Sequence, residues 1–261
     1  MSSSRIQAIE SFQQHRPVAK TLILLPTYNE RENIEAMLEA LNHAEPSCDV
    51  LVIDDNSPDN TADHVACLAP SLGYRVYLMR RAQKFGLGIA YLDAYAWALD
   101  HCPEYETFVQ MDADFSHDPR MLPLLISQSQ AYGVAVGSRY VQGGATPDWK
   151  RWRLWLSRLG NLYMRMVLRL FFPAYQLKDS TSGFVSWRRD VLRAVMTQPV
   201  LGDGYAYQTS AKLVAFRSGY PAIEVPIIFR DRRLGVSKLS RNIILEAFVI
   251  PWKLGWRFST S

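Results

Sequence analysis

Cysteine is scarce in this chain: Cys48, Cys67 and Cys102 are the only three among 261 residues, and no two form a C-x-x-C pair. That spacing excludes a disulfide scaffold and a cysteine-based zinc site, and it suits a reducing compartment. Charge of one sign is lacking too. The formal balance is +4, so nothing in the charge points to nucleic acid as a partner. No run of about 18 uncharged apolar residues occurs, which leaves no predicted membrane span. The opening "MSSSRIQAIESFQQHRP" has no apolar core of the kind a secretory signal requires. A G-x-x-x-x-G-K-[ST] loop is missing, which excludes a P-loop hydrolase. What remains is expected to be a soluble chain. Its 48% hydrophobic content is enough for one large core or two small ones.

Short apolar runs alternate with helical patterns through the first half. "TLILL" is stopped by "PTYNE", after which Asn29 and Glu32 predict a capping box. The helix it opens carries Ile34, Met37, Leu38 and Leu41 on one face. "VLVID" predicts a second strand ending at Asp54 and Asp55, followed by the turn "NSPDNT" and a helix around 62–68. Next come a strand "RVYLM", a helix "FGLGIAYLDAYAWAL" with Gly86 and Gly88 in its first turn, and a fourth strand "TFVQM". Asp118 caps the following helix with Pro119 at its first position, and "VAVGS" is a fifth strand leading into Arg139. This alternation predicts an α/β fold: a mostly parallel sheet with helices on both faces.

Open sheets of this kind bind ligands beyond the carboxyl ends of their strands. Thr27, Tyr28 and Glu30 follow the first strand, Asp54 and Asp55 the second, Asp112 and Asp114 the fourth, and Arg139 the fifth. Taken singly these residues are ordinary. A D-x-D at a strand end is common, Asp54 and Asp55 alone read as turn residues, and Glu30 suits a helix dipole. Their convergence on one edge favours a functional reading. The stretch "MDADFS" sets two carboxylates one residue apart, and a cation relieves their repulsion. Hard oxygen ligands suit magnesium or manganese (Mg2+ or Mn2+), which keep waters and bind substrate phosphates. A divalent ion on such a pair can hold a departing diphosphate and neutralise its charge, so a nucleotide-sugar is the natural substrate. His117, beside the pair, reads as a solvated loop residue.

The second half reads differently. "WKRWRLWLSRLGNLYMRMVLRLFF" sets Arg151, Arg158, Arg165 and Arg169 along a basic stripe, with Trp152, Trp155, Leu159, Tyr163, Met166 and Leu170 over much of the remaining surface. Two readings stay open: a helix lying in a membrane interface, or a core helix with a solvated basic face. In "NIILEAFVIPWKLGWRF", Glu246, Pro251 and Lys253 interrupt the apolar run, which favours surface docking over spanning.

The segments "LPTYNERENI", "VIDDNSPDNT", "KFGLGIAY", "MDADFSHDP", "GSRYVQGG", "DSTSGF" and "EVPIIFRDRRLGVSKL" occur in this order across almost the whole chain. Together they closely resemble the dolichyl-phosphate (polyprenol-phosphate) mannosyltransferases, inverting glycosyltransferases of the GT-A fold. The resemblance implies a GT-A, Rossmann-like sheet accompanied by amphipathic membrane-interface helices. It implies transfer of mannose from GDP-mannose to dolichyl or polyprenyl phosphate, with Mg2+ or Mn2+ as cofactor. By likeness, Pro26, Tyr28 and Glu30 hold the guanosine, with Ile53 and Asp55 beside it. Asp112, Ala113 and Asp114 match the diphosphate and metal site, Asp114 being the principal metal ligand. Arg139 matches the junction of the donor and acceptor phosphates, and with Asp112 and Asp114 it makes up the implied catalytic set. Arg153 and Ser157 match positions close to the acceptor phosphate. Arg232 and Lys238 resemble residues that close over the donor diphosphate. Some members carry Gln where Ser116 stands here; serine is a weaker ligand, and water is expected in its place.

An acceptor phosphate is already anionic, so no protein general base is required. The site must instead bring two anions together with cations and in-line positioning. Asp179 in "DSTSGF" is expected to be structural or to position the acceptor, Gly183 to permit close approach, and residues 203–208 to shape the sugar pocket. The expected organisation is an N-terminal extension (1–19), a catalytic domain (20–240) and a C-terminal amphipathic helix (241–261). Within the catalytic domain, 20–140 would bind the donor and 141–240 the acceptor. The expected setting is cytoplasmic, peripheral on the cytosolic face of a membrane; whether a membrane-embedded partner protein is also needed stays open. Two alternatives share the pattern: a UDP-glucose-dependent glucosyltransferase acting on the same acceptor, and a non-enzymatic membrane adaptor. The intact carboxylate pair and the cationic loop argue against the adaptor.

Overall fold

The structure, a computed structural model, describes residues 5–12, 19–198, 200, 204–231 and 241–259. Strand β1 (Ile6–Phe12) precedes β2 (Thr21–Thr27), α1 (Arg31–Ala44), β3 (Cys48–Asp54), α2 (Thr61–Leu68) and β4 (Val76–Arg81). Then follow α3 (Leu87–His101), β5 (Thr107–Gln110), α4 (Leu122–Tyr132), β6 (Val134–Ser138) and α5 (Arg151–Phe171). The chain continues through β7 (Val185–Arg188), α6 (Arg189–Met196), α7 (Gly204–Arg217), β8 (Ile223–Pro226) and α8 (Arg241–Ser259).

The eight strands form one sheet in the order β1-β4-β3-β2-β5-β7-β6-β8. Pairing is parallel across β4-β3-β2-β5 and at β6/β8, as the strand–helix alternation predicts. It is antiparallel at β1/β4, β5/β7 and β6/β7. The predicted fifth strand "VAVGS" therefore does not lie beside "TFVQ". β7 is inserted between them, Phe108 opposite Trp187 on one side and Val134 opposite Trp187 on the other. A two-residue alternation sends Leu22 and Leu24 into one core and Ile23 and Leu25 into the other. The first core packs under α3, α6 and α7, the second under α1, α2 and α4.

The predicted capping box at the start of α1 does not form. Asn29 has φ +61°, Glu30 is the capping residue, and no side chain of its own closes the helix end. The turn after β3 does the work instead. Ser57 Oγ accepts from Asn29 N–H at 3.1 Å, Thr61 Oγ1 from Glu30 N–H at 3.1 Å, and Asp59 from Arg31 N–H at 3.1 Å. Side chains from a neighbouring loop thus satisfy amides that a helix start leaves open, and the two loops that flank the candidate donor site are fixed to each other.

Candidate active site

The carboxyl ends of β2, β3 and β5 bring Tyr28, Glu30, Asp55, Asp112 and Asp114 to one cleft of about 1110 Å³. The two aspartates after β3 separate in role. Asp54 accepts from Thr27 Oγ1 at 3.0 Å and from Ser57 N–H at 2.9 Å, so it holds the turn. Asp55 lines the cleft and pairs with Arg81, which is wholly buried. Burial raises the Asp55 carboxyl, while Arg81 and the Gly86 N–H act to lower it. Gly86 caps α3 at φ +99°, a conformation that favours glycine, and this turns its amide onto Asp55. Lys84 lies 3.6 Å from the centroid of the Tyr28 ring at the same mouth. Pro26 and Ala113 also line the cleft, whereas Ile53 does not: its side chain is fully buried in the core, opposite Pro26 in the ladder.

At the acidic pair, Asp114 is buried and accepts from Ser116 N–H at 3.0 Å. His117 is not the solvated loop residue the sequence suggests. It is 2% exposed, stacks on Phe184 at 4.8 Å and meets the edge of Phe229. Its Nδ1 accepts from Asp112 N–H at 3.0 Å. Burial pushes the imidazole down to about 4, with Asp114 opposing the shift. A ring that is neutral at pH 7 and accepts a backbone hydrogen bond fixes the Asp112 amide rather than exchanging protons.

The residues also suit a divalent cation. Asp112 and Asp114 are hard oxygen donors facing one cleft, and Ser116 Oγ is buried with no hydrogen-bond partner among the described residues. Among those residues no cluster of three or more His, Cys, Asp or Glu could hold a metal by itself. Two carboxylates completed by water and substrate phosphates is the arrangement expected of magnesium or manganese.

Arg139 follows β6, lines the same cleft and is 7% exposed. Its Nε and Nη2 donate to Asp179 at 2.8 and 2.6 Å, its backbone N–H to the same carboxylate at 2.9 Å, and Nη2 also to Thr181 Oγ1 at 2.9 Å. Burial works to raise the Asp179 carboxyl, but the Arg139 charge and hydrogen bonds outweigh it and hold it below the usual range. The Asp179 loop is clamped in turn. Glu224 accepts from the 178 and 179 amides at 2.8 and 3.0 Å, and the buried Lys212 Nζ donates to the Ser180 and Ser182 carbonyls at 3.0 and 2.6 Å. Burial pushes the Lys212 ammonium down to about 7, against the pull of Asp179. A Cβ at Gly144 would stand 2.6 Å from the Ser138 carbonyl oxygen, so only glycine lets that turn lie against the Arg139 backbone.

Arg153 and Ser157 on α5 line the same cleft as Arg139. Arg153 pairs with Asp231 at 2.7 Å and packs over Trp149 at 4.2 Å, while Ser157 Oγ meets the Tyr140 hydroxyl at 2.6 Å. Arg232 and Lys238 lie outside the described residues. Gly183 lines the cleft, but a Cβ there would make only ordinary 3.6 Å contacts, so the expected close approach places no steric demand on it. Of the 203–208 segment, Ala206 lines the cleft; Gln208 lies buried and accepts from Gln110 Nε2 at 2.6 Å. Sequence reasoning missed Lys212, whose visible signal is a lysine inside the apolar run "AKLVAF". It also missed Arg81, Gln110 and the buried role of His117.

Only Asn161, Met164, Val167 and Leu168 of α5 are buried. Trp152, Trp155, Leu159, Met166 and Leu170 face outward, 56–70% exposed, so the core-helix reading fails for this face. α8 packs alongside: Tyr163 OH donates to the Phe248 carbonyl at 3.0 Å and Trp252 Nε1 to Tyr163 OH at 2.9 Å. Phe248, Val249, Trp252 and Trp256 extend the exposed apolar surface. Among the described residues no helix is long and apolar enough to cross a membrane.

The model of the family described as "Glycosyl transferase family 2" matches residues 22–196. The chain is 40% identical over 248 residues to a polyprenol monophosphomannose synthase of Mycolicibacterium smegmatis, covering 93% of this chain and 90% of that one. It is 40% identical to an undecaprenyl-phosphate mannosyltransferase of Micrococcus luteus, covering 92% and 96%. Among solved structures, a Pyrobaculum calidifontis mannosyltransferase in complex with GDP-Man and Mn2+ superposes with TM-score 0.60 at 20% identity, covering 91% of this chain and 64% of that one. At that identity the likeness speaks for the fold, and it bears out the expected GT-A architecture. The chain belongs to glycosyl transferase family 2, among the polyprenol-phosphate mannosyltransferases its motifs resemble.

Proposed function

We propose that this chain transfers mannose from GDP-mannose to a polyprenyl phosphate, with inversion, as a peripheral protein on the cytosolic face of a membrane. One observation carries the reading. A single cleft is lined by Asp112 and Asp114, by Arg139 and Arg153, and by apolar side chains of α5 and α8 such as Leu159, Met166 and Phe248. A carboxylate pair suits a metal-bound diphosphate, the arginines suit a second phosphate, and the apolar end suits an isoprenoid tail. The names of the relatives and the GDP-Man in the similar solved structure support the choice of substrates.

In this reading Pro26, Tyr28, Glu30 and Asp55 hold the nucleoside, and Asp112 and Asp114 would hold Mg2+ or Mn2+. When bound, the cation neutralises charge on the leaving diphosphate. An oxygen of the acceptor phosphate forms a bond to the anomeric carbon as the bond from that carbon to the GDP oxygen breaks. GDP departs with the electron pair, and one displacement inverts the centre. The acceptor oxygen is anionic, so no side chain has to remove a proton. Arg139, locked in orientation by Asp179, offsets the repulsion between the two phosphates. Arg153 and Ser157 receive the acceptor phosphate, and the exposed tryptophans of α5 and α8 rest in the membrane interface.

Calorimetry with GDP-mannose and UDP-glucose, each with and without manganese, tests the donor half of this reading. Manganese-dependent binding that favours GDP-mannose supports it. Preference for UDP-glucose would replace mannose by glucose, and no binding of either would favour a non-catalytic role.

A further inference from the structure

The nucleotide end of the cleft is tied to the N-terminal strand by a line of alternating charges. Asp55, at the cleft, pairs with Arg81 inside the protein. Arg81 Nη2 also donates to Asp93 of α3 at 3.1 Å, and the other Asp93 oxygen accepts from Arg5 Nη2 at 2.7 Å. Arg5 immediately precedes β1, whose register sets Ile6 opposite Arg81, and the Arg5 carbonyl accepts from Ala82 N–H at 2.9 Å. Arg81 is 0% exposed, and the Asp55 and Asp93 side chains are each 9% exposed. One buried guanidinium thus serves two buried carboxylates, an uncompensated arrangement that is costly unless a further cation is supplied. Arg5, with its side chain 34% exposed, supplies it from the surface.

We propose that Arg5 is a positioning residue for the donor nucleotide: by holding Asp93 it keeps Arg81 on Asp55, which makes the N-terminal strand part of the nucleotide site. The proposal rests on the reading of Asp55 as a nucleoside-side residue. Without Arg5 the line carries a net negative charge beside an anionic ligand, and Arg81 is shared between two carboxylates with no other cation in the line. Both effects weaken nucleotide binding. Neither acts on the transfer step once donor is saturating.

Arg5 sits at the surface, so its variants are expected to fold. With manganese present and well below the melting temperature, Arg5→Ala should raise the Kd for GDP about fivefold, as suits loss of a partly exposed cation. The kcat at saturating donor should stay within about twofold of the parent, and Arg5→Lys should recover most of the affinity because the charge is kept. Asp93→Asn should also weaken GDP binding, and the double variant should lose less than the two single losses combined. An unchanged GDP affinity in Arg5→Ala, with only the melting temperature lowered, would overturn the proposal, as would strict additivity with Asp93→Asn. If the parent protein prefers UDP to GDP, the guanosine reading fails, and the Arg5 comparison is decided in the same way with UDP.

Discussion

The Asp179 carboxylate grips Arg139 at three points: Nε at 2.8 Å, Nη2 at 2.6 Å and the backbone amide at 2.9 Å. A planar guanidinium held this way cannot swing, so its charge is delivered to the cleft in one orientation. Arg139→Lys keeps the charge but loses the fork, and turnover should fall by about a hundredfold or more while donor affinity changes little. Asp179→Asn should behave alike, since it removes the charge that orients the arginine. Steady-state kinetics beside donor calorimetry makes the comparison. Equal losses of affinity and turnover would place Arg139 at the donor alone.

Asp114 is buried beside Ser116, whose hydroxyl has no partner among the described residues. On the proposed reading Asp114→Asn removes a charged ligand to a divalent ion, so it should preserve the fold and lower turnover at least about a hundredfold. Manganese titration followed by calorimetry should show weakened metal-dependent nucleotide binding. A folded variant with near-normal turnover at saturating donor and metal would remove Asp114 from the metal site.

His117 gives the pH behaviour. Its imidazole is held neutral in the folded protein, down to about 4 against 6.5 when unperturbed. Between those values the unfolded chain binds the extra proton, so stability falls as pH drops from 6.5 towards 4 and is fully present above 6.5. The loss from this one group is roughly 3 kcal/mol, read as a falling melting temperature. His117 supplies no titration between pH 7 and 8, and kcat should show no inflection there from this residue. His117→Ala should reduce turnover less than Arg139→Lys does, through a displaced Asp112 amide. An inflection near neutrality that disappears in His117→Ala would make this residue a proton carrier.

The exposed tryptophans of α5 and α8 predict binding to anionic vesicles. Sedimentation should decrease as salt rises, because screening weakens the attraction of arginine to lipid phosphate. Replacing Arg151, Arg158 and Arg165 by glutamine should reduce binding, and Trp152→Ser with Trp155→Ser should reduce the part that survives high salt. Unchanged sedimentation in both sets would move the lipid contact to another surface.

The features legible in the sequence are those written locally. The runs "TLILL", "VLVID" and "TFVQ" became parallel strands because each is an unbroken apolar segment ending in polar residues. Asp55, Asp112, Asp114 and Arg139 follow strand ends directly, so topology alone gathers them on one edge. Several departures from the sequence reading involve partners distant in the chain. β7 enters between β5 and β6, with Val185 and Trp187 paired to both neighbours, a placement that no local pattern announces. His117 is covered by Phe184 and Phe229, and the start of α1 is capped by Ser57, Asp59 and Thr61 rather than by its own residues. The apolar surface of α5 was ambiguous because an exposed membrane-facing stripe and a buried one have the same period.

The transfer reaction itself tests the central claim most directly. The purified protein is incubated with GDP-mannose, a polyprenyl phosphate in detergent or vesicles, and manganese; the lipid product is isolated and its anomeric configuration read by NMR. The predicted result is one GDP released for each mannosyl-phosphate lipid formed, with the configuration inverted relative to the donor and product formation slowed at least about a hundredfold in the Asp114→Asn and Arg139→Lys variants. Transfer from UDP-glucose in place of GDP-mannose, retention of configuration, or transfer to a free hydroxyl but not to the lipid phosphate would contradict it.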